Sequence, residues 1–229
     1  MKKHYAWLWF DADGTLFDFN RAEMLALQHV FGLINTPFKP EYVALYKEYN
    51  QQLWHSLERQ EITPAILQVR RFELLLSALQ VEYSASQISA HYLQQLALCG
   101  DLIEGAYELL REAHRKSRIA IVTNGLQMVQ QGRMAHSAIH DFISELVISE
   151  EVGAAKPKTE FFEAASARSG NPAKDEILII GDSLSADILG GANYGIDTCW
   201  FNPSGETQPD GMRITYQISK LSQLLDLIE

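Results

Sequence analysis

The sequence predicts an α/β fold: a Rossmann-like parallel sheet whose first strand is followed by a long helical insertion. Three observations predict it. Short apolar or β-branched runs end in polar turns, at Asp11-Ala12-Asp13-Gly14-Thr15, Thr123-Asn124-Gly125 and Gly181-Asp182-Ser183. Amphipathic segments of helical length separate the later runs, and strands spaced in this way need right-handed crossovers within a parallel sheet. From Arg21 to Leu98 the composition is instead rich in Leu, Gln and Glu, nearly free of Gly, and without a β-branched run, which is helical composition.

Taken in order, Tyr5 to Phe10 is an aromatic apolar run between two lysines and an acidic turn, suited to a strand buried on both faces. The insertion then holds four or five helices, punctuated at Thr36-Pro37, Lys39-Pro40 and Thr63-Pro64. Thr63 reads as a cap, with proline in the first helical position. After Gly100 the rhythm alternates. Glu104 to Lys116 is a helix, Arg118 to Val122 a strand, Leu126 to Ser137 a helix and Leu146 to Ser149 a short strand. Pro157 to Ser169 is a helix, Glu176 to Ile180 a strand, then a helix through Asn193, a strand over Ile196 to Phe201 and a closing helix over Leu221 to Ile228. Residues 202–211 read as a surface loop. The expected domains are a core of residues 1–16 and 100–229 and an insertion of residues 17–99. An insertion there is expected over the carboxyl ends of the strands, where open α/β sheets place ligands.

With 229 residues, 47% hydrophobic and 21% charged, the chain has ordinary globular composition, which excludes a disordered, collagenous or disulfide-framework protein. The net charge of −10 argues against a nucleic-acid partner, because such binders neutralise phosphates with clustered basic side chains. An anionic substrate must therefore meet a local positive field from a metal, a buried lysine or a helix N-terminus. The apolar run after Met1-Lys2-Lys3 is too short for a signal segment or membrane span, so a cytoplasmic protein is expected, a monomer or weak homo-oligomer. Cys99 and Cys199 have no metal spacing beside them and read as reduced core thiols. His136 and His140 are four apart on an expected helix, but no Glu follows the first, and they read as ordinary surface or core histidines. Gly190-Gly191 inside a helix points to close packing against the sheet.

The polar strand ends carry the chemistry. Asp11 and Asp13 can share a pocket only if the backbone curls out of the strand, which Gly14 permits. One carboxylate can then attack phosphorus while its neighbour moves a proton. Alone, the motif reads equally well as an Asx turn. Thr123 and Asn124 open either a phosphate-binding nest or a plain helix cap. Asp182 and Asp187 can converge on one hard cation. Lys156, before Pro157, is either solvated or aimed at the strand ends, where it would stabilise a phosphoryl group. It is the joint order of the four that points to phosphoryl transfer.

These motifs together resemble the signature of the haloacid dehalogenase-like superfamily, DxDGT, a hydrophobic strand ending in Ser or Thr, a Lys, and GDxxxxD. The resemblance covers nearly the whole chain, and the insertion is similar to that family's C1-type cap. It implies Asp11 as the nucleophile that becomes an aspartyl phosphate and Asp13 as the acid that protonates the leaving oxygen and then activates water. It implies Mg²⁺ held by the Asp11 carboxylate, the Asp13 main-chain carbonyl and Asp182, with Asp187 acting directly or through water. Thr123 and Asn124 would hold phosphate oxygens, and Lys156 would neutralise shared charge. An acid at Asp13 favours a phosphate ester, whose leaving alkoxide needs a proton, over a halide, which does not.

The leaving group is a separate question. Tyr46, Tyr49, Trp54 and Phe72, interleaved with Gln51, Gln52, His55, Arg70 and Arg71, would suit a nucleobase or simply pack the insertion's core. Leu53-Trp54, Arg71-Phe72-Glu73 and the stretches 147–157 and 186–196 resemble the bacterial pyrimidine 5′-nucleotidase branch, implying dUMP, dTMP and UMP as small-molecule substrates. The alternatives are a sugar-phosphate or small-metabolite phosphatase or mutase of the same superfamily, and a non-catalytic phospho-accepting signalling module.

Overall fold

The structure, a computed structural model, describes residues 2–59 and 61–228. The chain separates into two compact units, Met1–Phe19 with Gly100–Glu229, and Asn20–Cys99.

The first unit is built on a parallel six-stranded sheet in the order β3-β2-β1-β4-β5-β6. β1 (Trp7–Phe10) lies at its centre, between β2 (Arg118–Thr123) and β4 (Ile177–Gly181), with Phe10 level with Ile121 on one side and Ile180 on the other. The strand is apolar throughout because both of its faces are covered. Leu8 and Phe10 join Ile119, Ile121, Leu178 and Ile180 on one face, packed by α5 (Ala106–Ala113) and a closing turn at Leu221–Asp226. Trp7 and Trp9 face the other way, toward Phe161, Phe162 and Ala165 of α8 (Thr159–Arg168). This two-residue alternation is the pleat of the strand.

β3 (Glu145–Ile148) and β5 (Asp197–Phe201) extend the sheet as the sequence predicts. β6 (Tyr216–Ile218), three residues long, is a strand that the sequence pattern does not announce. The first ladder begins at Trp7 and not at Tyr5, whose hydroxyl is drawn sideways to Asp197 Oδ2 at 2.7 Å. Two expected helices take tighter or looser forms. The C-terminal one is a 3₁₀ turn, and the one after Ser183 is a π-helical turn, Leu184–Leu189, continued by α9 (Gly190–Tyr194). There Gly191 packs against the sheet as anticipated, a Cβ on it lying 2.6 Å from Ile179 Cγ2, whereas Gly190 faces α8, where a Cβ would lie 2.8 Å from the Phe162 ring.

The second unit consists of α1 (Phe19–Leu33), α2 (Pro40–Glu58), α3 (Pro64–Leu79) and α4 (Ala85–Leu98). Thr63 caps α3, accepting from the Ile66 N–H, with Pro64 in the first turn. Tyr46 and Phe72 pack with Tyr92 at centroid distances of 5.2–5.6 Å, so those two aromatics are core. Tyr49 and Trp54 are half-buried. Arg71 is buried beside them, donating to Asn50 Oδ1 at 3.0 Å. Among the described residues no helix is long and apolar enough to cross a membrane. Cys199 is a buried thiol, whereas Cys99, expected in a core, is half-buried at the end of α4.

Candidate active site

The strand order reverses around β1, since the chain fills β2 and β3 on one side before crossing to β4 on the other. The crevice at the carboxyl ends of β1, β2 and β4 is therefore the topological switch point of the sheet. Each of these strands delivers a polar residue there. The Asp11 N–H donates to the Ile180 carbonyl at 2.8 Å, extending the ladder by one residue and fixing the Asp11 side chain at the strand's tip. The chain then turns sharply, with Leu16 and Phe17 N–H both returning to the Ala12 carbonyl. Gly14 sits in this turn at φ +85°, and a Cβ there would lie 2.6 Å from Asp182 Oδ2. Glycine is thus required both by the backbone conformation and by the approach of β4's terminal acid.

Lys156 ties the site together. Only 2% exposed, it donates through Nζ to Asp11 Oδ1 and Asp187 Oδ1, each at 2.6 Å, and to the Val122 carbonyl at 2.7 Å. Burial alone would lower the lysine's pKa, but the two carboxylates outweigh it and hold the ammonium above the ordinary lysine range. Burial pushes Asp11 well up, with Lys156 opposing and the Asp187 and Asp182 charges adding to the rise. The sequence leaves Lys156 either solvated or inward; it is inward. It stands ahead of α8 because that helix begins at Thr159 and not at Pro157.

Asp182 follows β4, with its carbonyl bound by Trp200 Nε1 at 3.0 Å and its Oδ1 by the Thr15 hydroxyl at 3.2 Å. Asp182 is solvent-exposed, yet partial desolvation of its carboxyl in the crevice and the Asp187 charge push it up to about 6; water reaching it moderates that push. Asp187 is fully buried. Its Oδ1 is taken by Lys156 and its Oδ2 by the Ser183 N–H at 3.1 Å. Gly181 makes this possible, because a Cβ there would overlap the Asp187 carboxyl.

On β2 the Thr123 hydroxyl accepts from the Gly125 N–H at 2.9 Å. Asn124, expected at a phosphate, uses both side-chain polar atoms on the lysine loop: Nδ2 donates to the Lys156 carbonyl at 2.9 Å, and Oδ1 accepts from the Lys156 N–H at 2.8 Å. Its side chain positions Lys156. Asp13 stands apart from the acidic cluster. It accepts from Gln130 Nε2 at 2.6 Å on Oδ2 and from Arg133 Nη1 on Oδ1, both from α6 (Gln127–Ala135). Sequence reasoning missed Gln130 and Arg133. The available signal was two polar residues on the buried face of α6, between Val129 and Met134. His136 and His140 do not share a helix, since α6 ends at Ala135, and both are exposed.

The cluster fits a hard cation. Carboxylate oxygens of Asp11, Asp182 and Asp187 lie within 4.8 Å of one another, and these three acids face a single ammonium. All-oxygen, anionic donors suit Mg²⁺. Both Asp187 oxygens already accept hydrogen bonds, from Lys156 and Ser183, whereas on Asp11 the lysine takes Oδ1 and on Asp182 Thr15 takes Oδ1.

The model of the haloacid dehalogenase-like hydrolases matches residues 6–195. Pyrimidine 5′-nucleotidase YjjG of Escherichia coli is 36% identical, covering 97% of both chains. Pyrimidine 5′-nucleotidase PynA of Streptococcus pneumoniae is 34% identical over 98% of this chain and 95% of its own. A crystal structure of the HAD-hydrolase YfnB from Bacillus subtilis, described as bound to magnesium, superposes with a TM-score of 0.92 at 35% identity, covering 99% of this chain and all of that one.

Proposed function

This chain belongs to the haloacid dehalogenase-like hydrolase family, and within it we propose a magnesium-dependent phosphomonoesterase that acts on pyrimidine nucleoside 5′-monophosphates, dUMP, dTMP and UMP. The observation that carries the chemistry is the pairing of a lysine-held carboxylate, Asp11, with a second carboxylate, Asp13, two residues on and held on separate partners.

Lys156 binds one oxygen of Asp11 and leaves the other to attack phosphorus, forming an acyl phosphate as the ester P–O bond breaks. Asp13 gives its proton to the departing ribose oxygen. Water then attacks the same phosphorus, Asp13 takes its proton back, and the Asp11–phosphorus bond breaks to release inorganic phosphate and free Asp11. Lys156 offsets the charge shared by Asp11 and the phosphoryl group, and Thr123 with the Asn124 main chain holds phosphate oxygens. Mg²⁺ on Asp11, Asp182 and the Asp13 carbonyl would supply charge neutralisation at the phosphoryl oxygens. The helical segment, residues 17–99, carries none of these groups, so we assign the choice of leaving group to it and the phosphoryl chemistry to residues 1–16 and 100–229.

The nucleotide assignment is supported by two relatives that align over nearly the whole of both chains, each named a pyrimidine 5′-nucleotidase. The test is phosphate release from a panel of nucleoside monophosphates and sugar phosphates, and halide release from a 2-haloacid, with and without Mg²⁺. Metal-dependent turnover highest on pyrimidine nucleotides is expected. A preference for sugar phosphates would overturn the substrate, and halide release would overturn the reaction.

A further inference from the structure

We infer that Gln130 and Arg133 form a positioning clamp that fixes the Asp13 carboxylate, a role that rests on Asp13 being the proton-transfer group proposed above. The two residues are three apart on α6 and so leave the same helix face. Each binds a different oxygen of Asp13, Gln130 through Nε2 at 2.6 Å and Arg133 through Nη1. Donors on both oxygens set the plane of the carboxylate as well as its position, which a single hydrogen bond does not do.

The surroundings are shaped for this contact. Arg133 is fully buried, and the Phe17 ring lies 5.1 Å from its guanidinium. Its Nε and Nη2 have no hydrogen-bond partner. Among the described residues nothing therefore competes with Asp13 for hydrogen bonds from the guanidinium, and the contact helps offset the cost of burying it. Gly125 has no Cβ, and one placed there would overlap the Gln130 side chain. The turn after β2 is thus cut back to admit the clamp. Its effect is on placement: Asp13 remains outside the group formed by Asp11, Asp182 and Asp187. It is therefore neither captured by Lys156 nor drawn in as another metal ligand, and it stays available to the leaving oxygen. Gln130 and Arg133 are positioning residues, acting on the reaction only through Asp13.

The test compares dUMP, whose alkoxide leaving group needs a proton, with 4-nitrophenyl phosphate, whose leaving group needs little. For Asp13→Asn and Arg133→Met the expected loss of kcat is on the order of 100-fold on dUMP and under about fivefold on the aryl ester, the range over which general acids act. Arg133→Lys recovers part of the loss, and Asp13→Asn/Arg133→Met is no slower than Asp13→Asn alone. Equal losses on both substrates for Arg133→Met, or a further loss in the double variant, would overturn the clamp. If Asp13→Asn itself shows no difference between substrates, the assignment of Asp13 fails instead. Should thermal melting show Arg133→Met unfolded, Gln130→Met, which removes one neutral hydrogen bond at matched volume, decides the matter: a roughly tenfold loss confined to dUMP supports the clamp, and wild-type behaviour refutes it.

Discussion

Replacing Lys156 by Met keeps the side-chain volume and removes only the ammonium, so the packing contribution is small. What is lost is the common partner of two acids. Lys156 reaches Asp11 and Asp187 at 2.6 Å each, and Asp187 is fully buried. Deleting one member of a buried ion pair costs about 3–5 kcal/mol, because the remaining charge is left uncompensated. The predicted loss of stability is therefore about 3–5 kcal/mol at pH 8 without metal. Its pH dependence has a definite sign. Asp11 is already pushed above its unfolded value, chiefly by burial, and Lys156 opposes that push. A raised carboxyl contributes its stability in full below the unfolded pKa and loses it as pH rises through the folded one. Without the lysine that loss grows, so the deficit is smaller at pH 5 than at pH 8. The lysine's own pKa is raised, so its contribution is complete at both pH values. Adding Asp187→Asn removes one orphaned charge and is expected to restore roughly 1–2 kcal/mol. The assay is urea unfolding followed by circular dichroism, with a chelator present. A cost under about 1 kcal/mol at pH 8, or a double variant no more stable than the single one, would refute the reasoning.

Three further outcomes are expected. Asp11→Asn abolishes turnover yet leaves the metal-free protein at least as stable, because one of three acids facing one ammonium is gone; calorimetry without Mg²⁺ checks this. Gly181→Ala forces a Cβ onto the Asp187 carboxyl and costs about 1–3 kcal/mol by overpacking, with activity falling as Lys156 loses its support, both measured on the purified variant. Mg²⁺ affinity, measured by titration calorimetry, falls as the pH drops through about 6, as protons compete at Asp182, whose carboxyl is pushed up to about 6, and at Asp11, which burial also pushes up; an affinity flat from pH 5 to 7 contradicts this.

The parts of the fold that the sequence announces are those set by local chemistry. β1, β2 and β4 are short apolar runs closed by polar turns, and Thr63-Pro64 opens a helix through its own side chain and ring. Asp11, Lys156, Asp182 and Asp187 are legible because their spacing resembles a known order, and the structure gathers oxygens of the three acids within 4.8 Å of one another, with Lys156 paired to Asp11 and Asp187. The remainder depends on tertiary partners. β6 is only three residues and gains its place by pairing with β5. Asn124 looks like a phosphate ligand until the Lys156 loop, 32 residues on, folds against its carboxamide. Nothing in the sequence ties Gln130 and Arg133 to the site, because the Asp13 they bind is more than a hundred residues earlier in the chain. Gly125 and Gly181 look like turn residues, although what each provides is room for one particular side chain.

The central claim is that phosphorus is transferred to Asp11. It is tested most directly by quenching the enzyme during turnover of dUMP with Mg²⁺, reducing the acyl phosphate with borohydride and mapping the peptides by mass. Conversion of Asp11, and of no other acid, to homoserine is predicted. Rapid turnover with Asp11 unmodified, or with Asp13 or Asp182 converted in its place, would contradict the account.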